Sequence, residues 1–596
     1  MDNQIQGRLD ALRKLMAGSG IAAAIVPQTD PHQSEYLADH WQLRRFLSGF
    51  TGSAGTLVVT ADRALLWTDS RYFLQAGIQL KDSGIELMKE GIEGTPTVEE
   101  WLAANLPAGS TVGFDGMLFS MDATDSLAAR LGARGITIDV SFDVADSLWP
   151  DRPALPDCTV IVHDEKYAGQ SAVDKTDAVL TKAQAQGATS VLISPLDEIA
   201  WILNIRSRDV EYNPVVTSFL YLSPEGNTLF VDEAKITPEV RAYLGRVGVE
   251  TAPYQTVKQA MAALPADARV LLSTSQSSGA FASILGDRAV AGDSAVADLK
   301  AEKNPCQIEG IRNAMVRDGV ALVGAFREIE RLAAEGTLTE LKVAEILRDH
   351  RSKQDLYYDE SFGTIAGWAG HGAIVHYDAD EESSSTITKD SLLLIDSGAQ
   401  YLDGTTDITR TIAIGEPTDQ MRHDFTLVMK GHIALALAVW PAGTNGLQLD
   451  TLARQFLWRE GLTYLHGTGH GVGHFLNVHE GPQKISLLYK PAPLVPGMIT
   501  SNEPGLYRTD EYGIRCENLT LVVPVFETEF GKFYGFETLT LFPFDRRLFD
   551  LDAMTEEEIE WVDRYHEMVY DRLSPALSGD DLAWLREKTR SLLVLD

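Results

Sequence analysis

The stretch SLLLIDSGAQYLDGTTDITRTI, residues 391–412, decides how the second half of this chain folds. Residues 391–395 form an apolar run of the buried-strand kind, closed by Asp396 and a Ser397-Gly398 turn signal. Residues 401–404 mark a turn, and residues 405–412 are rich in β-branched side chains, so the stretch reads as a hairpin bringing Asp407 roughly opposite Asp396. Taken singly, one Asp is a turn former and the other a solvated strand residue. Taken together, two buried like charges require a cation.

Further candidates lie downstream. Residues 466–479, HGTGHGVGHFLNVH, hold four of the chain's 13 histidines among four glycines. Glycine is costly inside helices and the HExxH pattern is absent, so this is no zincin helix. In extended chain, His466, His470 and His474 share one face and His479 takes the other. Glu503 precedes Pro504, which keeps its backbone extended and limits its reach. Residues 513–523 read as one strand with Arg515, Glu517 and Leu519 on the same face, so that Arg515 orients the neighbouring carboxylate. Asp396, Asp407, Glu503 and Glu517 bring four negative charges, matching two divalent ions, and one imidazole completes the set, with His470 the candidate. Mostly oxygen donors with a single His suit Mn2+, while Co2+ or Zn2+ fit the same cage.

These segments carry a resemblance. IDSGAQY, TTDITRT, HGTGHGVGH, NVHEGP, SNEPGLY and GIRCENL are similar, in order and spacing, to the signature set of the pita-bread metallopeptidases. SEYLADHWQLRRFLSGFTGSAGT and ALLWTDSRYFLQA near the N-terminus resemble the long, three-domain cytosolic Xaa-Pro aminopeptidase (aminopeptidase P) family within that group. The resemblance implies that Asp396 chelates one metal, His470 and Glu503 the other, and that Asp407 and Glu517 bridge both. It implies substrate and proton-handling roles for His376, His466 and His479, with Glu503 accepting and returning a proton. It adds Arg71, from the WTDSRYF segment, as a substrate contact, and Tyr507 and Arg515 as residues around the substrate. His474 takes no role. The implied reaction is hydrolysis of the bond before a proline at position two, by a water or hydroxide held between two cations. The implied assembly is a homodimer. Prolidase, which shares the fold and metal set but cleaves dipeptides, is the competing reading; a catalytically dead scaffold would have lost ligands.

Composition sets the outer bounds. At 596 residues the chain exceeds a single core, and 44% hydrophobic residues without a membrane-length apolar run point to a soluble globular protein. Net charge is −34, which disfavours nucleic acid and anionic membrane as partners. Residues 1–16 form an amphipathic helix pattern without a secretory apolar core, so no cleaved leader is expected. Three scattered cysteines, Cys158, Cys306 and Cys516, suit a reducing, cytoplasmic compartment. The sequon at Asn518 overlaps the proposed metal strand and reads as a chance match.

A faint internal repeat appears upstream. A helix, a Gly, a strand and a Pro recur at residues 8–27 and 175–195, and strands ending in Asp recur at 65–69 and 228–232. The expected organisation is an α/β (α+β) chain of two related, creatinase-like α/β domains, 1–152 and 153–299. A catalytic domain follows at 300–548, its curved antiparallel sheet implied by the resemblance, and a C-terminal helical extension spans 549–596. In that extension Thr555 and Glu558 form a capping box before Ile559, Val562, Tyr565, Val569 and Leu573, at the spacing of a cap packed on the catalytic domain. The Gly-rich residues 49–55 lack the Lys-Ser/Thr ending of a P-loop and read as a turn between strands. Residues 467–473 miss the dinucleotide spacing; their glycines permit close approach to metals or substrate.

Overall fold

The computed structural model describes residues 2–388 and 390–594, without the side chains of residues 2 and 3; Met1 of the N-terminal helix pattern lies outside the described residues. The chain divides into two compact units, Met1–Glu165 with Gln170–Val296, and Lys166–Gly169 with Ala297–Asp596.

The first unit repeats one design twice. Its first sheet orders Glu86–Lys89, Ala64–Thr68, Thr56–Thr60, Ala23–Pro27, Thr111–Gly113 and Thr137–Asp139. The second orders Val249–Pro253, Asn227–Val231, Ser218–Leu222, Ser190–Ile193, Val270–Ser273 and Ala289–Gly292. In both, the strand that opens the unit pairs antiparallel with the next and parallel with the fifth. The repeat read from sequence falls on equivalent strands: Ala23–Pro27 matches Ser190–Ile193, and Ala64–Thr68 matches Asn227–Val231. Residues 49–55 do not join two strands as expected. Gly49, at φ +74°, ends helix Leu43–Ser48, and the loop leads into Thr56–Thr60, because a left-handed glycine stops a helix cheaply.

The second unit is built around antiparallel sheet. Ile365–Trp368, Ser391–Ser397 and Ile408–Ile414 form one set, and a six-stranded set runs Val439–Pro441, Gly531–Thr538, Asn518–Thr528, Ile499–Asn502, Gly469–Gly471, Glu480–Ile485. Helix Pro305–Glu335 starts with a capping box between Asn304 and Gln307, has Pro305 in its first turn, and stops at left-handed Gly336. Its buried Leu322 and Phe326 share one core with Leu393 and Ile395 of the sheet and with Phe425 and Val428 of helix Asp419–Ala436. The tail helix Glu556–Leu573 has the expected capping box and buries Val562, Tyr565, Val569 and Leu573 in that same core. Arg410 Nη2 donates to the Tyr565 hydroxyl at 2.9 Å. Among the described residues, no helix is long and apolar enough to cross a membrane.

Candidate metal centre

The hairpin of residues 391–412 forms, with one refinement. Asp396 pairs with Thr409 across Ser391–Ser397 and Ile408–Ile414, and Asp407 stands just before the second strand. The expected continuous strand is split because Thr406 turns inward: its hydroxyl accepts from Ala399 N–H at 3.0 Å, and its carbonyl accepts from Ser361 Oγ at 2.8 Å. Gly398 is required there, since a Cβ would overlap the Thr406 carbonyl oxygen and Ser361 Oγ.

Glu503 follows strand Ile499–Asn502, its N–H donating to the Thr468 carbonyl at 2.8 Å and its Oε1 accepting from Ser501 Oγ at 2.9 Å. Glu517 sits between strands Tyr512–Arg515 and Asn518–Thr528, and its Oε2 accepts from Thr409 Oγ1 at 2.8 Å. His470 lies on strand Gly469–Gly471, with Nε2 3.4 Å from Asp407 Oδ2 and 3.3 Å from Glu503 Oε1. Its Nδ1 lies 2.9 Å from the Gly471 carbonyl, which assigns the proton to Nδ1 and leaves Nε2 facing the acids. Ligand atoms of Asp407, His470 and Glu517 all lie within 4.8 Å of one another.

Electrostatics marks the cluster. Burial pushes Asp396 up to about 7, with Arg515 opposing and Asp407 adding to the rise. Burial also raises Glu503, with Asp407 adding, and it raises Glu517 strongly, with Asp407, Glu503 and Asp396 all adding. Burial lowers the His470 imidazolium, but Asp407 and Glu503 outweigh it and push it up to about 9. Asp396 Oδ1 is buried with no hydrogen-bond partner. Four clustered acids, an orphaned carboxylate oxygen and an imidazole edge turned toward the acids fit a pair of hard divalent cations.

Arg515 departs from expectation. Its Nη2 donates to Asp396 Oδ2 at 2.7 Å, whereas Glu517 takes its hydrogen bond from Thr409. The expected single strand is broken at Cys516 and Glu517, yet Arg515 and Glu517 still meet at Thr409 Oγ1. Arg515 also donates from Nε to Thr409 Oγ1 at 3.1 Å and from Nη1 to the Tyr507 hydroxyl at 2.8 Å. Thr409, which accepts from Arg515 and donates to Glu517, was not singled out from the sequence. The alternation of Thr409, Arg410 and Thr411 was its signal, since it turns both hydroxyls to one face, where Thr411 Oγ1 donates to the Arg515 carbonyl at 3.0 Å.

The histidine faces are also corrected. Only Gly469–Gly471 is strand, and left-handed Phe475, at φ +50°, turns the chain. His479 is thereby returned to His470, with ring centroids 4.3 Å apart. His466 Nδ1 lies 2.8 Å from the Gly467 carbonyl and its Nε2 2.7 Å from the Tyr507 hydroxyl, linking it to Arg515 through Tyr507. Gly469 and Gly471 also lie against neighbouring strands: a Cβ at Gly469 would overlap the Ser501 carbonyl oxygen, and one at Gly471 the Glu480 carbonyl oxygen. His376 is half-buried beside Val375, whose carbonyl accepts from Arg515 Nη2 at 3.4 Å. His474 is buried. Arg71 belongs to the first unit, paired with both oxygens of Asp69 and with Glu35 at 3.2 Å. Asn518, the sequon residue, is fully buried and accepts from Arg410 Nη2 at 2.8 Å.

Comparison with known proteins agrees with this geometry. Residues 309–524 match metallopeptidase family M24 and residues 532–592 the C-terminal region of that peptidase, while residues 8–145 and 151–307 each match a creatinase/prolidase N-terminal domain. Aminopeptidase P2 of Arabidopsis thaliana is 41% identical, covering 99% of this chain and 89% of its own length. A probable Xaa-Pro aminopeptidase P of Aspergillus niger is 42% identical over 98% of each chain. The crystal structure of X-prolyl aminopeptidase from Caenorhabditis elegans, described as a cytosolic enzyme with a di-nuclear active site, is 36% identical with a TM-score of 0.94, over 98% of this chain and 99% of that one. With likeness to named Xaa-Pro aminopeptidases over 98–99% of the chain, the chain belongs to the Xaa-Pro aminopeptidases of metallopeptidase family M24.

Proposed function

We propose that this chain releases the first residue from peptides carrying proline at position two, with two divalent cations held by Asp396, Asp407, His470, Glu503 and Glu517. The convergence of Asp407, His470 and Glu517 ligand atoms beside the orphaned Asp396 Oδ1 carries the reading. By the family resemblance, Asp396, Asp407, His470, Glu503 and Glu517 would together hold the cations. When bound, such a pair lowers the pKa of water and polarises the scissile carbonyl. Mn2+ suits the oxygen-rich donor set; Co2+ and Zn2+ compete for it.

The chain's own residues do the rest. Glu503 takes a proton from the attacking water and returns it to the proline nitrogen as the C–N bond breaks. His376 and His479 donate to the carbonyl oxygen as it becomes anionic. Arg515 keeps Asp396 aimed, and the Arg515, Tyr507 and His466 chain fixes one wall against the proline ring, which has no N–H to offer. The proposed domains are residues 1–152, which carry Arg71, residues 153–299, a catalytic domain at residues 300–548 and a helical tail at residues 549–596.

In this proposal the enzyme works in the cytoplasm, apart from nucleic acid and membranes, as its charge of −34 suits. It pairs as a homodimer, and the exposed Val525, Phe526 and Phe530 offer apolar surface for a second copy. Incubating the protein with Mn2+ and the tripeptide Arg-Pro-Pro should release free arginine. An untouched tripeptide beside cleaved Arg-Pro would mean a prolidase, and no cleavage of either would overturn the peptidase reading.

A further inference from the structure

Glu340 is the first residue of helix Glu340–Arg351, and its relative exposure is 0%. Four donors from separate segments converge on its carboxylate. The Trp368 N–H, ending strand Ile365–Trp368, reaches Oε1 at 2.7 Å. The Ser385 N–H and the Tyr377 hydroxyl reach Oε2 at 2.7 and 3.0 Å. His371 Nδ1 lies 2.9 and 3.0 Å from the two oxygens, and its ring stacks on Tyr377 with centroids 4.5 Å apart. A carboxylate has about four lone-pair sites, so this one is saturated.

None of that capacity is spent on the helix that Glu340 begins. Capping is done by Thr339, whose side chain accepts from the Lys342 N–H. Anchored by Trp368 and Ser385, the carboxylate holds the loop of residues 369–377 through His371 and Tyr377, and that loop carries His376. The other side of the loop is held at the metal centre, where Arg515 Nη2 reaches the Val375 carbonyl and Gly513 lies so close that a Cβ would overlap the Gly372 carbonyl oxygen. The loop is therefore clamped from behind by Glu340 and in front by Arg515, with His376 between Val375 and Tyr377.

We propose that Glu340 is a positioning residue for peptide hydrolysis: by gripping His371 and Tyr377 it fixes the loop that presents His376 to substrate. This rests on the reading of His376 as a substrate-facing histidine. Glu340→Gln turns an acceptor oxygen into a donor facing donors, so the grip is lost while the side-chain volume is kept. Hydrogen exchange of residues 369–377 should rise in the metal-loaded variant while residues 391–412 keep their protection. On Arg-Pro-Pro, kcat should fall about 10- to 100-fold, the scale of a misplaced reacting group, with KM within about threefold and metal content unchanged. Tyr377→Phe removes one of the four donors and should move both readouts the same way by less, which keeps the test available if the Gln variant does not fold. In a His376→Ala background, Glu340→Gln should cost almost nothing further. An impaired His376→Ala whose loss multiplies with that of Glu340→Gln, or unchanged exchange at residues 369–377, overturns the positioning role alone. Full turnover by His376→Ala overturns both that role and the reading of His376.

Discussion

Two buried acid sites, one in each unit, are handled in opposite ways. In the first, the buried side chains of Asp209 and Lys235 pair one to one, and Asp209 also accepts from the Thr217 N–H at 2.6 Å and Ser207 Oγ at 3.3 Å. In the second, four acids share Arg515 and His470, and burial together with mutual repulsion raises Asp396, Glu503 and Glu517. The first arrangement closes on itself. The second gathers more acids than its own cations pair with, and the raised Asp396, Glu503 and Glu517 record that surplus. A buried carboxylate alone thus marks nothing; a surplus of them marks a candidate site.

Removing one acid or cation from each place should separate the two cases. The largest effect belongs to Asp407→Asn, which should cut turnover on the order of 10³- to 10⁴-fold, as for residues acting as a unit, and lower bound metal. After chelation the same variant should melt higher than chelated wild type by calorimetry, because one like charge is gone from the cluster. The mirror experiment, Lys235→Met, strands a buried carboxylate and should cost about 3–5 kcal/mol by denaturant titration. Adding Asp209→Asn should recover most of that loss. A chelated Asp407→Asn that melts lower than chelated wild type would break the contrast.

The same contrast shows what the sequence made legible. The hairpin acids, the repeated α/β sheets and the Thr555 capping box were readable because each is a local pattern: an apolar run ending in Asp, a strand preceded by Gly, a Thr three residues before Glu. Strand alternation predicts that Arg515 orients Glu517, whereas its guanidinium bonds Asp396 and meets Glu517 only through Thr409. Likewise, Phe475 turned His479 back toward His470, and period-2 alternation does not foresee a left-handed turn. Thr409 and Glu340 escaped because their partners are distant in sequence, and a single chain does not reveal which residues will meet. Charge type and local pattern can be read in advance; which cation serves which acid cannot.

Arg515 tests that last point at a smaller scale. It reaches Asp396, Thr409 and Tyr507 from three different guanidinium nitrogens, and a lysine offers one point donor in their place. Arg515→Lys should therefore lower metal affinity or kcat/KM about 10- to 100-fold, as for other partners that orient a ligand. An Arg515→Lys enzyme with native metal affinity and native turnover would show that Asp396 is held by the cations alone.

His566 supplies a third way to bury an ionisable group: keep it neutral. It is 0% exposed in helix Glu556–Leu573, and its Nε2 accepts from the Phe544 N–H at 3.1 Å, a bond that protonation would destroy. Burial lowers it from 6.5 to about 3, with Arg410 adding to the drop. A histidine depressed in the folded state contributes stability that is intact above the unfolded value of 6.5 and lost as pH falls toward about 3, because the unfolded chain takes the proton first. At pH 5 the loss is about 2 kcal/mol relative to pH 7, from about 1.4 kcal/mol per unit of pKa difference. His566→Gln should be less stable at pH 7, where the native packing is disturbed, yet its stability should fall less steeply between pH 7 and pH 5 when followed by denaturant titration. An equal slope in both proteins would mean that the tail helix opens and lets His566 titrate before the core unfolds, making the tail a separate cooperative unit.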